Sequence, residues 1–292
     1  MKRIGFVIKH QHPEASQAAI ALAEIAVQEG CQVFFCTESR ETSRRVTKLF
    51  PKKTRIVKKE RLSEVTDLIV VLGGDGTYLS VARMMKKRSV PVMGINMGTL
   101  GFLTEIKRSE GAEALRALLH GKKPTISKRA LLEVTLKRKG RTIFQGPVVN
   151  DVVISKGAIA RIIGIQISIN GRLSNQIRAD GIIVSTPTGS TAYSLAAGGP
   201  IIEPTLPALV IAPICPHSLT QRPMVISDEH HIELCLSQRP GHVTLTLDGQ
   251  DAVDMTEGDV VSIRKFKRHA LQVVASPTRD YYALLREKLK FG

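Results

Sequence analysis

Leu68-Ile69-Val70-Val71-Leu72-Gly73-Gly74-Asp75-Gly76-Thr77 is the segment from which the architecture can be worked out. Five apolar residues in a row, too few for a helix and without polar alternation, read as a strand buried on both faces, as in a parallel sheet. The glycines that follow, ahead of a helical pattern over residues 77–86, place a turn at the carboxyl end of that strand. This is where α/β sheets bind ligands. With no Cβ atoms in the way, backbone N–H groups there can approach phosphate oxygens, and the next helix adds its N-terminal partial positive charge. Asp75 is the odd member. A carboxylate repels phosphate unless it holds a metal ion, orients a hydroxyl nucleophile or takes its proton, so an acid here points to phosphoryl transfer. The plainer alternative is a glycine-rich turn whose aspartate caps the following helix.

Around this segment, residues 3–8, 32–36 and 90–95 read as strands, and residues 14–29, stopped by Gly30, and 111–120 read as helices. Strand and helix in alternation predict an α/β domain over residues 1–123, a Rossmann-like parallel sheet with flanking helices. From Pro124 the pattern changes to period two. Leu132, Val134 and Leu136 alternate with polar residues, Gly140 marks a hairpin turn, and Ile163, Ile165, Ile167 and Ile169 lead into Asn170-Gly171, a strong hairpin signal. Further strand-like segments at residues 182–185, 208–211, 231–236, 243–247, 260–263 and 270–274 predict an all-β domain, a sandwich, over residues 124–276. The spacing of Tyr282, Leu285 and Leu289 predicts a C-terminal helix, and residues 277–292 are expected to return to the first domain.

A chain of 292 residues, 43% hydrophobic and 23% charged, can bury a core in each of about two domains. No run approaches the roughly 18 apolar residues that span a bilayer, and Met1, Lys2 and Arg3 lead into a strand-like segment rather than a signal-peptide core, so a cytoplasmic protein is expected. Cys31, Cys36, Cys215 and Cys235 form neither a C-x-x-C pair nor a zinc spacing and read as reduced packing residues. The excess of 42 Lys and Arg over 26 Asp and Glu, net +16, favours anionic partners. Scattered basic runs, no Trp and 4% aromatics argue against nucleic acid, and no amphipathic stretch argues for a membrane. The P-loop pattern G-x-x-x-x-G-K-[ST] is absent, as is G-x-G-x-x-G after the first strand.

A second cluster starts at Arg178-Ala179-Asp180-Gly181 and continues, after a strand, as Thr186-Pro187-Thr188-Gly189-Ser190-Thr191-Ala192-Tyr193-Ser194-Leu195-Ala196-Ala197-Gly198-Gly199-Pro200. Five hydroxyl residues and a tyrosine among small residues can hydrogen-bond phosphates and sugars while leaving room for a ring. The same residues also serve as ordinary turn and cap chemistry.

With these strings, NMGTLGFLT at 96–104, Asn150-Asp151, PICPHSLTQRPMV at 213–225 and LDGQ at 247–250, the chain resembles the bacterial NAD kinases over nearly its whole length. GGDG alone is also similar to the turn of phosphofructokinases and of diacylglycerol and sphingosine kinases; followed by DGIIVSTPTGSTAYSLAAGGP it is far more specific. The resemblance implies Mg²⁺-dependent (or other divalent-cation) transfer of the γ-phosphoryl group of ATP, or of polyphosphate in some members, to the adenosine ribose 2′-hydroxyl of NAD. It implies that Asp75 contacts that ribose and accepts the proton, with Gly76 beside it, while Gly73, Gly74 and Thr77 take the phosphate donor. Asn150 and Asp151 bind the adenosine end, Asp180 holds the nicotinamide amide, and Arg161 and Arg178 lie along the dinucleotide. Thr191, Ala192, Tyr193, Ser194, Leu195 and Ala196 surround adenine and ribose, Gln250 reaches the NAD site, and Phe102 lines the adenosine pocket.

Read from their own surroundings, Arg161 is equally a surface charge and Phe102 a core residue, and His217 is either a ligand contact or a structural residue. The metal ligands stay unassigned. Asp151 stands where many bacterial members carry Glu, and Met97 where some carry Arg. The resemblance further implies a homodimer or homotetramer, with a neighbouring subunit completing the NAD site, and no nucleic-acid or membrane partner. Two other readings remain: a lipid or sugar kinase using the same turn, and a basic regulator that binds nucleic acid or dinucleotide.

Overall fold

In the computed structural model, residues 2–85, 87–158, 161–238 and 241–290 are described. The chain divides into two units, Met1–Lys128 with Leu271–Gly292, and Arg129–Ala270.

The first unit is built on the strands β1 (Arg3–Ile8), β2 (Gln32–Cys36), β3 (Thr54–Val57), β4 (Leu68–Gly73), β5 (Pro91–Asn96), β6 (Ile106–Lys107) and β7 (Ile126–Arg129). Their sheet runs β3-β2-β1-β4-β5, then Leu271–Val274 and β7, with β6 also on β5. Neighbours from β3 to β5 are parallel, and every residue of β4 is buried. Helices α1 (Pro13–Gln28), α2 (Arg40–Leu49), α3 (Leu62–Val65), α4 (Asp75–Ala82) and α5 (Gly111–Leu119) alternate with the strands. Small residues of α1, among them Ala15, Ala19, Ala23 and Ala26, let that helix share a core with Phe6, Val70 and Leu72. The strand order reverses direction between β1 and β4, which makes the end of β4 a topological switch point. The GGDG turn is therefore placed by the sheet itself. The helix after it covers Asp75–Ala82 rather than 77–86, and Lys86 lies outside the described residues.

The predicted border between domains needs correction. Leu271–Val274, expected in the sandwich, pairs in parallel with β5 (Gln272 opposite Pro91, Val273 opposite Val92), and β7 joins the same sheet. A parallel partner so distant along the chain leaves no mark in the local pattern. The C-terminal helix, Tyr281–Leu289, belongs to this unit, and its N-terminus is capped by the Asp280 carboxylate, which accepts the Ala283 N–H at 2.7 Å. Its buried residue is Leu284, while Tyr282 is 59% exposed, so the inward face is turned from the predicted stripe.

The second unit holds two six-stranded antiparallel sheets, ordered Met224–Ser227, Ala208–Ile214, Gly181–Ser185, Asp151–Lys156, Val243–Leu247, Asp251–Met255 and Arg172–Ala179, Ile163–Ile169, Ile232–Gln238, Val260–Lys265, Leu132–Arg138, Arg141–Val148. Inward residues of both, such as Val152, Ile154, Val184, Leu245, Val134, Leu136, Ile165 and Leu234, form one core, as in a sandwich. Both predicted hairpins are present: Lys139-Gly140 and Asn170-Gly171 have positive φ at both positions, the backbone of a type I′ turn.

Candidate active site

Asp75 opens α4, and the residue in the N-cap position is Gly74, with no side chain capping the helix. The capping alternative for Asp75 is thereby answered, because its carboxylate turns to the loop after β5. Oδ2 accepts the Phe102 N–H at 2.8 Å, and Oδ1 accepts the Leu103 N–H at 3.1 Å, the Thr104 N–H at 3.0 Å and the Thr104 hydroxyl at 3.0 Å. Glycine at 101 makes this possible, since a Cβ there would collide with Asp75 Oδ1 and Thr104 Oγ1. One carboxylate oxygen is filled by three donors; the other has one and keeps acceptor capacity for a hydroxyl proton. Gly73 lies against Thr77, where a Cβ would come 2.5 Å from Oγ1, and Gly74 has open space around it. Phe102 is half-buried, its ring 6.4 Å from that of Tyr281 and 5.2 Å from Lys288 Nζ on the C-terminal helix. A cavity of about 600 Å³ at the ends of β1 and β2 is lined by Lys9, His10, Arg40 and Arg45 as well as by Glu38 and Glu41.

In the second unit the organising residue is Asp248, unassigned from sequence. It sits 6% exposed in a tight turn, φ +53° with Gly249 at +62°, and accepts the backbone N–H groups of Val149 (3.0 Å), Asn150 (2.7 Å) and Asp151 (3.2 Å). Asp-Gly between strands signals only a hairpin, which is why its second task stayed hidden. Thr186 Oγ1 donates to the Val149 carbonyl at 2.6 Å and accepts the Gly189 N–H at 3.1 Å. A Cβ on Gly189 would collide with the Asn150 backbone, so the serine- and threonine-rich loop packs directly on Asn150-Asp151. The Asp151 carboxylate accepts the Tyr193 N–H, yet burial and the Asp248 charge push its pKa up to about 7. Asn150 Oδ1, Thr188 Oγ1 and Ser194 Oγ are buried without a partner, three hydrogen-bonding positions of the kind a ligand satisfies.

The structure thus brings together Asn150, Asp151, Thr191, Ala192, Tyr193 and Ser194, with Gln250 exposed on the Asp248 turn and Leu195 and Ala196 continuing into the single helical turn Tyr193–Ala196. Asp180 lies elsewhere. The antiparallel register, Asp151 opposite Ser185 and Ser155 opposite Gly181, carries on to Asp180 beside Lys156 at the far end of the strand pair, roughly 16 Å away at ~3.3 Å per residue. There it pairs with Lys156 Nζ at 3.2 Å. The pairing of Ile163 with Ala179 brings Arg161 and Arg178, both exposed, to that same end. The backbone N–H of His217 donates to the Arg178 carbonyl at 2.9 Å. Among the described residues, no three His, Cys, Asp or Glu side chains converge as a metal cage, and Asp75 Oδ1 is already taken by three donors.

The family described as ATP-NAD kinase N-terminal domain matches residues 4–123, and ATP-NAD kinase C-terminal domain matches residues 149–275. An NAD kinase of Syntrophotalea carbinolica is 42% identical over 292 residues, covering 100% of this chain and 99% of the relative. One of Geotalea daltonii is 49% identical over 235 residues, covering 80% and 82%. Among solved structures, yeast NADH kinase complexed with NADH matches 100% of this chain and 88% of its own at 28% identity, with a TM-score of 0.90. An NAD kinase from Archaeoglobus fulgidus in complex with ATP, 24% identical with a TM-score of 0.71 over 100% of both chains, shares the fold. An α/β unit carrying a GGDG turn, joined to a β-sandwich, places the chain in a class of phosphotransferases. Within that class it belongs to the ATP-NAD kinase family.

Proposed function

We propose that the chain transfers the γ-phosphoryl group of ATP to the adenosine ribose 2′-hydroxyl of NAD, giving NADP, with polyphosphate as a second donor. The observation that carries the proposal is the Asp75 carboxylate, held by four donors at a switch point of a parallel sheet with Oδ2 only singly engaged. In the step, the bond from the ribose oxygen to the γ-phosphorus forms, the bond from that phosphorus to the ADP oxygen breaks, and the hydroxyl proton passes to Asp75 Oδ2. The transition state is loose, so proton transfer comes late and positioning supplies most of the rate.

Gly73, Gly74, Gly76 and Thr77, at the start of α4, suit donor phosphates and the adjoining hydroxyl, and the basic side chains at the ends of β1 and β2 add to that attraction. In the second unit, Asn150 Oδ1 would accept an adenine amino hydrogen, and Asp151, with its pKa near 7, can donate to as well as accept from a ribose hydroxyl. Thr191 to Ala196 and Gln250 would enclose the adenosine, with Phe102 against its pocket. Asp180 would accept the nicotinamide amide N–H, and Arg161 and Arg178 would face the pyrophosphate. A homodimer or homotetramer, in which a neighbouring subunit completes the NAD site, is part of the same proposal. Mg²⁺ or another divalent cation belongs to the proposal as an ion carried by the donor's phosphates. Among the described residues no helix is long and apolar enough to cross a membrane, and cytoplasmic action is part of the same reading.

The test is a panel of donors (ATP, polyphosphate) and acceptors (NAD, NADH, diacylglycerol, fructose phosphates), with product read by an NADP-specific dehydrogenase. NADP formed from NAD, with lipid and sugar untouched, is expected. Phosphorylated lipid or sugar without NADP would replace the proposal with another GGDG kinase. Salt-dependent binding to random DNA, with no ATP consumed in the presence of NAD, would replace it with a regulator.

A further inference from the structure

Three of the four donors on Asp75 are backbone N–H groups, which almost any residue would supply; the fourth, the Thr104 hydroxyl, depends on the side chain. Its direction is set by Asn96. The Asn96 Oδ1 accepts the Gly98 N–H at 2.7 Å, which orients the amide, and Nδ2 then donates to the Thr99 carbonyl at 2.7 Å and to Thr104 Oγ1 at 3.0 Å. With an incoming donor on its oxygen, Thr104 has one proton, and that proton points to Asp75 Oδ1 at 3.0 Å. Both residues are buried, Thr104 at 0% exposure, so water does not replace this contact. The three backbone donors set the plane of the carboxylate, and the hydroxyl adds a bond to an ionised oxygen that holds it against drift within the broad torsional well of an aspartate.

We propose that Thr104, oriented by Asn96, is a positioning residue that locks the Asp75 carboxylate so that Oδ2 is the oxygen presented to the acceptor hydroxyl. This rests on the reading of Asp75 as proton acceptor. The relay threads the Asn96–Thr104 loop and fixes the catalytic group through a fully buried side chain.

The experiment measures kcat and the KM values for NAD and ATP in Thr104→Val and Thr104→Ser, each alone and combined with Asp75→Asn. Thr104→Val keeps the shape and removes the hydroxyl. It is expected to lower kcat about 10–100-fold, the range for losing a hydrogen bond to a charged group, with both KM values within about twofold. Thr104→Ser restores most of the rate, and in the Asp75→Asn background Thr104→Val adds less than about twofold. Thr104→Val at the wild-type kcat, or the same fold-loss in both backgrounds, overturns the positioning role. If Asp75→Asn alone turns over like wild type, the proton-acceptor reading fails instead, a result distinct from the first two. Thr104→Ala, which leaves a small gap rather than a methyl against the Asn96 amide, serves if Thr104→Val does not fold, and the same comparison applies to it.

Discussion

Asp151 enters its strand 5% exposed, beside the carboxylate of Asp248. Burial and that neighbouring charge raise its pKa from the ordinary 3.8 to about 7. An unfolded chain gives up the proton near pH 4 and the folded chain near pH 7, so the native state holds the extra proton between them. Stability contributed by this group therefore falls as pH rises from about 4 to about 7 and is level above. Asp151→Asn keeps the shape and cannot titrate. Relative to wild type it is expected to gain about 2–4 kcal/mol between pH 4 and pH 8, read by urea unfolding at each pH. Parallel stability curves for the two proteins would remove Asp151 as the titrating group. Asp75 stood out from the sequence by the chemistry of its turn and Asp151 by the resemblance, whereas Thr104 and Asp248, though inside the quoted strings NMGTLGFLT and LDGQ, were given no role. Both act on a neighbouring backbone or carboxylate through folding alone, and a Thr or an Asp-Gly pair read by its own residue type spells only a loop.

β4 and its glycine turn could be read directly because a buried parallel strand is an apolar run ending in punctuation, and the Lys139-Gly140 and Asn170-Gly171 hairpins because their turn type demands those residues. Leu271–Val274 has only four residues, and its partner β5 lies far back in the chain, so its period-two pattern with Leu271 and Val273 inward matched a sandwich strand equally well. The segment that follows it is anchored by Arg279, whose side chain is 12% exposed and whose guanidinium donates to Glu110 Oε2 at 3.0 Å, to the Glu105 carbonyl at 3.0 Å and to Ser276 Oγ at 3.2 Å. That anchor precedes the helix whose Tyr281 and Lys288 meet Phe102, the residue whose N–H holds Asp75 Oδ2. Arg279→Ala is expected to lower unfolding stability by about 1–3 kcal/mol, less than a fully buried pair because Glu110 is partly in water. An unchanged urea midpoint would show that the C-terminal segment docks without it.

The whole chain carries net +16, a charge suited to two polyanionic substrates meeting at one centre. If a neighbouring copy supplies Asp180 to the site whose Asp75 comes from the first, then Asp75→Asn and Asp180→Ala chains, each slow alone, complement each other. Co-expressed in equal amounts, they are expected to recover about a quarter of wild-type activity, since half the pairs are mixed and each mixed pair has one intact site. No recovery in a verified mixed oligomer would place both residues in the same copy's site. Composition and period were enough to read two domains and their classes; the return of the chain to the first sheet depended on pairing across long sequence distance. The central claim concerns the carboxylate at the end of β4. The most direct measurement compares NAD binding by calorimetry with turnover in Asp75→Asn, a change that keeps shape and removes charge. The prediction is a turnover lower by at least about 10²–10⁴ with NAD affinity within a few-fold of wild type; turnover close to wild type would contradict it.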